Sequence, residues 1–495
     1  MIIGILLVAL ALRLINLNQS LWLDEAVQAV VAKNSLAFAF EELRGDFHPP
    51  LFHLLMHFWV RIFGSSEISL RMPSVLFGIG TVWVVYLLIK ELTDSKISGP
   101  VASLLLATAP YHVYYSQEAR MYSMVTFFTC LSMYYFLRVI SDWQLAISGN
   151  KGLPAHSRLF PITSHKSPAT FYVFFTTLAL YSDYYAVLVI LAQMVAGVII
   201  LRKRFLKMIF YYLAILILFA PVLPLLISQL KTGTMATMAL PGWGELVNLG
   251  FLKALPLTFV KFSIGRITIF DKRLYALVIL GVSGILGGLG GWGIMKGMKK
   301  KGARGEFYTV LLFWLMTPTT IAWLASTIIP NYQPFRLLLV LPAFYLLLTS
   351  GLTSISSTVG RRIALIIILS INLFSLAVYY KNPYFWREDW RSVAGLAKEN
   401  NLPIVISAQS FNWPLIYYRA NDLIVSASAG DGILTIDRIP SFLAKISLNK
   451  KLYYTPYLAD LYDPERLVPT WIEKDGFVKI KEISFNQIPV WEYEK

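Results

Sequence analysis

Cysteine occurs once in 495 residues, as Cys130, so no intramolecular disulfide framework exists whatever the compartment. Charge is sparse too. Asp, Glu, Lys and Arg supply 15% of the residues, against about 25% in soluble domains, which argues against an ordinary cytosolic enzyme. Acidic residues are the scarcer sign, 28 against 44 basic, a net charge of +16. Nucleophile-elbow, P-loop and dinucleotide-binding signatures are missing. What the chain has in excess is apolar sequence, 56% hydrophobic residues with a mean hydropathy of +0.60. This excludes disorder and collagen-like structure and indicates a polytopic membrane protein.

A helix needs about 20 mostly apolar residues to cross a bilayer. Eleven candidate spans follow: 2–17, 72–89, 99–113, 121–137, 169–182, 185–201, 208–228, 275–295, 307–328, 337–352 and 363–380. The first has no basic region before it and no small-residue cleavage site after it, so it is read as a helix and not a signal peptide. The connecting segments alternate in charge. Segments 90–98, 138–168, 202–207, 296–304 and 353–362 carry 17 Lys+Arg and 3 Asp+Glu, whereas the opposite set carries 11 and 10. Positive segments stay cytoplasmic, and Lys299-Lys300-Lys301 is the clearest marker. The expected protein is therefore a multi-pass cell-membrane protein with its amino terminus inside, its long loops 18–68 and 229–274 outside, and its carboxyl terminus outside. The basic excess then reflects topology and anionic lipid; scattered over five short loops, it does not describe a nucleic-acid surface.

The expected fold is all-α and polytopic over 1–380, followed by a small extracytoplasmic α/β domain over 381–495. In the first outer loop, 25–40 and 49–63 carry apolar stripes suited to helices lying in the interface, and 246–262 adds another. In the tail, β-prone runs at 404–407, 423–426, 452–455, 477–480 and 490–493 alternate with helical stretches such as 390–400 and 464–474. The glycine run Gly287-Gly288-Leu289-Gly290-Gly291 lies inside a span and reads as close helix packing.

Charged groups at membrane depth or on an interfacial platform are costly, so they are candidates for chemistry. Asp24-Glu25 follows the first span directly. Its local alternative is a helix cap with a carboxylate in the first turn; its chemical use is a base that deprotonates an alcohol nucleophile. Asp46-Phe47-His48-Pro49-Pro50 has the local alternative of a turn before a helix start. His48, His53 and His57 invite a metal reading, but no Glu completes a His-Glu-x-x-His pattern, and interfacial histidines are the better account. Glu118 and Arg120 could close a turn, yet Arg120 and Arg336 both stand where an outer loop re-enters apolar sequence. Two guanidinium groups at one outer cavity suit a phosphate; the alternative is snorkelling to lipid headgroups. Arg13 and Arg71 are assigned to snorkelling or internal pairing.

Asp24-Glu25 after the first span, Asp46-x-His48-Pro49-Pro50, and Glu118-Ala-Arg120-Met-Tyr122 after the third span together resemble the polytopic GT-C type glycosyltransferases. The match is to the family 39-like branch of protein O-mannosyltransferases, aminoarabinose transferases and Rhizobium lipopolysaccharide galacturonosyltransferase-like enzymes. It is sharpest over 1–140. Two departures stand out: Asp183 occupies a turn where members often have His, and Arg336 is followed by Leu337 where many have Tyr.

The resemblance implies a hexosyl or pentosyl transferase that takes a sugar from a polyprenyl-phosphate carrier and passes it to an acceptor lipid, glycan or protein on the outer side. It implies Asp24 as the base for an inverting attack. Glu25, Asp46 and His48 would stand around sugar or acceptor and Arg120, Tyr122 and Arg336 near the donor phosphate, with Glu118 also among the substrate-binding residues. No cofactor is assigned; divalent-ion dependence varies among such enzymes. The competing expectations are a transporter or lipid flippase, whose polar groups should continue to the other face, and a noncatalytic paralogue that keeps the fold.

Overall fold

The structure, a computed structural model, describes residues 1–90, 95–148, 167–240, 242–244, 248–300, 302–428 and 432–495. The parts of the basic segments at 91–94 and 149–166, together with Leu246 and Lys301, lie outside the described residues. The chain is predominantly helical and ends in one five-stranded sheet. Among the described residues, seven helices are long and apolar enough to cross a membrane: Glu67–Lys90, Tyr122–Asp142, Phe205–Met235, Lys272–Met298, Arg304–Ala325, Pro334–Thr353 and Thr358–Lys381. The other four expected spans are helical but shorter, or broken.

The breaks have local causes. The expected span 99–113 divides into α6 (Ser98–Ala107) and α7 (Pro110–Ser116), numbered after α1 (Ile2–Leu14), α2 (Leu23–Lys33), α3 (Leu36–Gly45), α4 (Leu51–Phe63) and α5 (Glu67–Lys90). Pro110 occupies the first turn of α7 and Ala109 before it is extended, because the proline ring disfavours helical geometry in the preceding residue. The expected in-plane helix at 25–40 is likewise two helices, α2 and α3. Asn34 is extended, and the Ser35 hydroxyl accepts the Phe38 N–H at 3.2 Å, capping α3 and satisfying one orphan donor. Then α4 follows Pro49-Pro50 as expected. Close helix packing does occur at the run, through Leu289 and the nearby Gly293 more than through the four glycines themselves. A Cβ on Gly351 would lie 1.9 Å from the Leu289 carbonyl oxygen, and one on Gly293 would lie 2.6 Å from that of Leu347, whereas Gly288 and Gly291 meet nothing within 4 Å.

The centre of the molecule is the segment from α7 into α8 (Tyr122–Ser148). Every residue of α7 is buried, and so is every residue from Gln117 to Thr126. This polar-rich stretch is enclosed by α1, α5 and the Thr358–Lys381 helix, which places the Gln-Glu-Ala-Arg-Met-Tyr sequence deep in the protein and not on a loop tip.

Beyond the last long helix, β1 (Ile404–Ala408), β2 (Ile424–Ser428), β3 (Lys451–Thr455), β4 (Val478–Phe485) and β5 (Ile488–Glu494) form a sheet in the order β2-β1-β3-β5-β4. β1 is parallel to β2 and β3; β5 is antiparallel to β3 and β4. β1 is buried along its whole length, as expected of a central parallel strand covered on both faces. The sheet core includes Trp390, Phe411, Tyr453 and Ile488, and Leu23, at the start of α2, packs directly against it.

Candidate active site

Asp24 and Glu25 are adjacent in the first turn of α2 but face different surroundings. The N-cap of this helix is Trp22, with no side-chain capping bond, so Asp24 is not the cap that local sequence allowed. Its side chain is 38% exposed, with one carboxylate oxygen 3.6 Å from Arg120 Nη2. Glu25 is wholly buried. It accepts Arg71 Nε at 2.9 Å, Arg71 Nη2 at 2.5 Å and the Ala119 N–H at 2.8 Å, with Arg387 Nε at 3.8 Å. Burial alone would raise its pKa, but Arg71 and Arg387 hold it below the ordinary glutamate value. With its acceptor positions filled, Glu25 is a strut between α2, α5 and the segment before α8. The resemblance placed Glu25 around sugar or acceptor; in the structure its carboxylate is occupied by donors of the protein itself. Arg71 is paired internally, as is Arg13, which bonds the Ala9 and Ala107 carbonyls and His112.

Asp46, His48 and His53 form a second cluster. The Asp46 carboxylate accepts the Phe47 N–H at 2.6 Å, His48 Nδ1 at 2.7 Å and His53 Nε2 at 3.0 Å. Burial pushes Asp46 upward, but the two imidazoles prevail and hold it well below the usual carboxylate range. Arg120 Nη2 approaches the same His48 nitrogen at 3.3 Å. A guanidinium only donates, so a proton on His48 Nδ1 goes to Asp46 and leaves Arg120 unbonded at that atom. His48 and His53 converge on a carboxylate here. Among the described residues no group of three or more His, Cys, Asp or Glu is arranged to hold a metal ion.

Arg120, Tyr122 and Arg336 complete the polar ring. Tyr122 opens α8, and its hydroxyl feels the charges of Arg120, Arg336 and Asp24 together. The Arg336 guanidinium stands 5.7 Å from the Tyr185 ring and 5.8 Å from that of Phe335. Arg120 Nε and Arg336 Nε are both buried without a hydrogen-bond partner. Buried donors are nearly always paired, so two orphan guanidinium N–H groups flanking one tyrosine are a specific feature of this region.

Beside this ring is a cavity of about 520 Å³. Tyr122 and Glu118 form part of its wall, with Trp22, Tyr114, Tyr115 and Phe335. Asp24, Arg120 and Arg336 are not among the residues that line it, and the cations that do are ones the sequence did not single out: Lys261, Arg266 and Arg387. Arg387 bonds Glu118 at 2.9 Å and the Tyr114 hydroxyl at 3.1 Å. Burial, together with the charge of Glu25, still keeps Glu118 above its ordinary pKa despite Arg387. Arg266 donates to the Tyr114 hydroxyl at 2.5 Å, so that Tyr114 lies between two guanidinium groups at 4.7 and 4.6 Å from its ring. Neither Lys261 nor Arg266 has a carboxylate partner among the described residues, and burial and Arg266 bring Lys261 down to about 8. Gly265 sets the direction of Arg266. Its φ is +73°, and a Cβ there would lie 2.8 Å from that of Pro110, so only glycine turns the chain this close to α7.

Comparisons with known proteins bear on the fold and on one segment of the sequence. The family model described as dolichyl-phosphate-mannose-protein mannosyltransferase matches residues 47–148. The putative mannosyltransferase YkcB of Bacillus subtilis is 29% identical over 97 residues, 20% of this chain and 13% of that protein. Two crystal structures of ArnT from Cupriavidus metallidurans share the fold. The one bound to undecaprenyl phosphate has a TM-score of 0.58 and the apo one 0.57. Each is 12% identical and aligned over 99% of this chain and 97% of ArnT. The chain is thus similar to mannosyltransferases over one segment and shares the ArnT fold over nearly its whole length.

Proposed function

We propose that this protein transfers a sugar from a polyprenyl-phosphate donor to an acceptor at the extracytoplasmic membrane face, with Asp24 as general base. The observation that carries the reading is the pairing of a half-exposed carboxylate, Asp24, with Arg120, a guanidinium that keeps a buried, unfilled N–H, beside a cavity with cationic walls. The undecaprenyl phosphate in the ArnT structure supports the class of donor. The charge bias of the connecting segments supports the orientation, with loop 18–68 and the C-terminal sheet outside.

In this reading the acceptor hydroxyl gives its proton to Asp24 while its oxygen attacks the anomeric carbon. The bond from that carbon to the phosphate oxygen breaks, and the electron pair leaves with the carrier phosphate. Attack from the side opposite the phosphate inverts the anomeric centre. Charge grows on the departing phosphate, where preorganised donors contribute most; Arg120 and Arg336 have the free N–H groups for it, and Lys261 and Arg266 add positive potential. Asp46 and His48 hold each other beside Arg120 and bear on sugar or acceptor only through groups not spent on that bond.

The test is to incubate the purified protein with a panel of polyprenyl-phosphate sugars and to follow donor consumption and release of polyprenyl phosphate. Consumption by the wild type that falls about 10²- to 10⁴-fold in Asp24→Asn supports the reading. A wild type that consumes no member of the panel but moves lipid between leaflets would replace it with the transporter reading.

A further inference from the structure

We propose that the C-terminal α/β unit positions Asp24, and that Glu388 is the residue through which it does so. This deepens the reading of Asp24 as base and rests on it.

Residues 18–23, which lead from α1 into α2, are gripped by side chains and backbone from beyond the last long helix. The Asn18 carbonyl accepts Arg391 Nη2 at 2.7 Å, and the Gln19 side chain accepts the Arg387 N–H at 3.0 Å. The Ser20 hydroxyl accepts the Arg391 N–H at 3.0 Å, and the Leu21 N–H donates to the Tyr418 hydroxyl at 2.9 Å. Tyr418 and Arg391 are in turn anchored to Glu67, at the start of α5, at 3.1 and 2.7 Å. Each successive residue from Asn18 to Leu21 therefore has its own hydrogen bond to the C-terminal region. The same connection is also held from α5, where Arg71 donates to the Leu17, Gln19 and Ser20 carbonyls; the C-terminal region adds the contacts closest to the uncapped start of α2.

Glu388 closes this grip next to Asp24. Its carboxylate accepts Trp390 Nε1 and the Tyr457 hydroxyl, both at 2.8 Å, and the Leu23 backbone N–H lies near enough to favour its ionised form. Trp390 is completely buried and stacks edge-on against Tyr457, which does the same against Phe411 at the end of β1. Leu23 packs on that aromatic cluster. Glu388 is thus fixed through Trp390 and Tyr457 on one side and lines the cavity on the other, while Leu23, the residue before Asp24, packs on the same core. Charge bears on this arrangement too: burial and the neighbouring Asp24 carboxylate raise Glu388 above its ordinary value, opposed by its bonds to Trp390 and Tyr457. A carboxylate is kept where like charge opposes it because its acceptor geometry holds the first turn of α2.

The test uses the full-length protein, kcat and donor KM, and the variants Glu388→Ala, Glu388→Gln and Tyr457→Phe. Misplacing a reacting group by about 1 Å costs up to about 100-fold. Glu388→Ala should lower kcat about 10- to 100-fold with donor KM within about twofold, and Glu388→Gln, which keeps one acceptor, should lose less. Tyr457→Phe, away from the cavity, should follow in the same direction and serves if Glu388→Ala does not fold. The decisive measurement is the cycle with Asp24→Asn: residual donor consumption of that variant should not fall further when Glu388 or Tyr457 is changed. Equal losses in both backgrounds, or a rise in KM at unchanged kcat, would overturn the positioning role. Insensitivity of the wild type itself to Asp24→Asn would instead remove the reading on which the proposal rests.

Discussion

Two ionic clusters begin one residue apart on α2 and differ in every physical respect. The Glu25 cluster is closed: two carboxylates, Glu25 and Glu118, are matched by Arg71 and Arg387, all buried. The Asp24 cluster is open: its carboxylate is 38% exposed, its contact with Arg120 is a loose 3.6 Å, and that arginine retains an unfilled N–H. Successive helix residues point about 100° apart, so one step along the chain separates a group that builds the fold from one left accessible to a substrate. A closed pair contributes specificity of assembly more than stability, whereas breaking it leaves an uncompensated buried charge.

That contrast can be broken at either end. The largest effect expected is Asp24→Asn, a fall in kcat of about 10²- to 10⁴-fold with an unchanged unfolding midpoint; initial rates and thermal unfolding in the same detergent check both halves. Next is Glu25→Gln, which should behave oppositely. It leaves Arg71 and Arg387 buried with one carboxylate fewer, at a cost of about 3–5 kcal/mol, seen as a lowered midpoint and poor recovery of folded protein. Arg120→Ala sharpens the open side: donor KM should rise about tenfold, equivalent to about 1.4 kcal/mol, and unchanged kinetics at all donor concentrations would count against a phosphate contact.

The smallest effect concerns pH. Asp46 has a depressed folded-state pKa, so it adds stability that is fully present above the ordinary aspartate value of about 3.9 and is lost as pH falls through its lower folded-state value. Asp46→Asn should therefore be less stable than the wild type at neutral pH and converge with it in acid. Parallel midpoint curves across that range would show that the two imidazoles do not favour the ionised form.

Much of this architecture was legible one segment at a time. All eleven apolar runs are helical, the stretch 390–400 is a helix with those ends, and the five β-prone runs are the five strands. Two boundaries were missed for identifiable reasons: the Ala109-Pro110 step interrupts an apolar run without changing its hydropathy, and Ser35 caps a helix inside an amphipathic stripe. The site was half legible. Asp24 stands 3.6 Å from Arg120, and Arg120 approaches His48 at 3.3 Å, whereas Arg336 lies over the Tyr185 ring. The internal partners of Glu25 were not legible, and Lys261, Arg266, Arg387 and Glu388 were not singled out. A signal existed for the last two, a charged cluster between Trp386 and Trp390 straight after the final apolar run, and for Arg266, a glycine just before it.

The amino-acid order alone determined which segments enter lipid, which form strands, and that acidic and guanidinium groups crowd a few connecting segments, because hydropathy, periodicity and turn chemistry act over a few neighbours. Only the tertiary structure decided which of two adjacent carboxylates is saturated and which stays free. Glu25 draws its partners from positions 46 and 94 residues away and from beyond the last long helix, and no local property of the Asp-Glu pair records where those distant donors arrive.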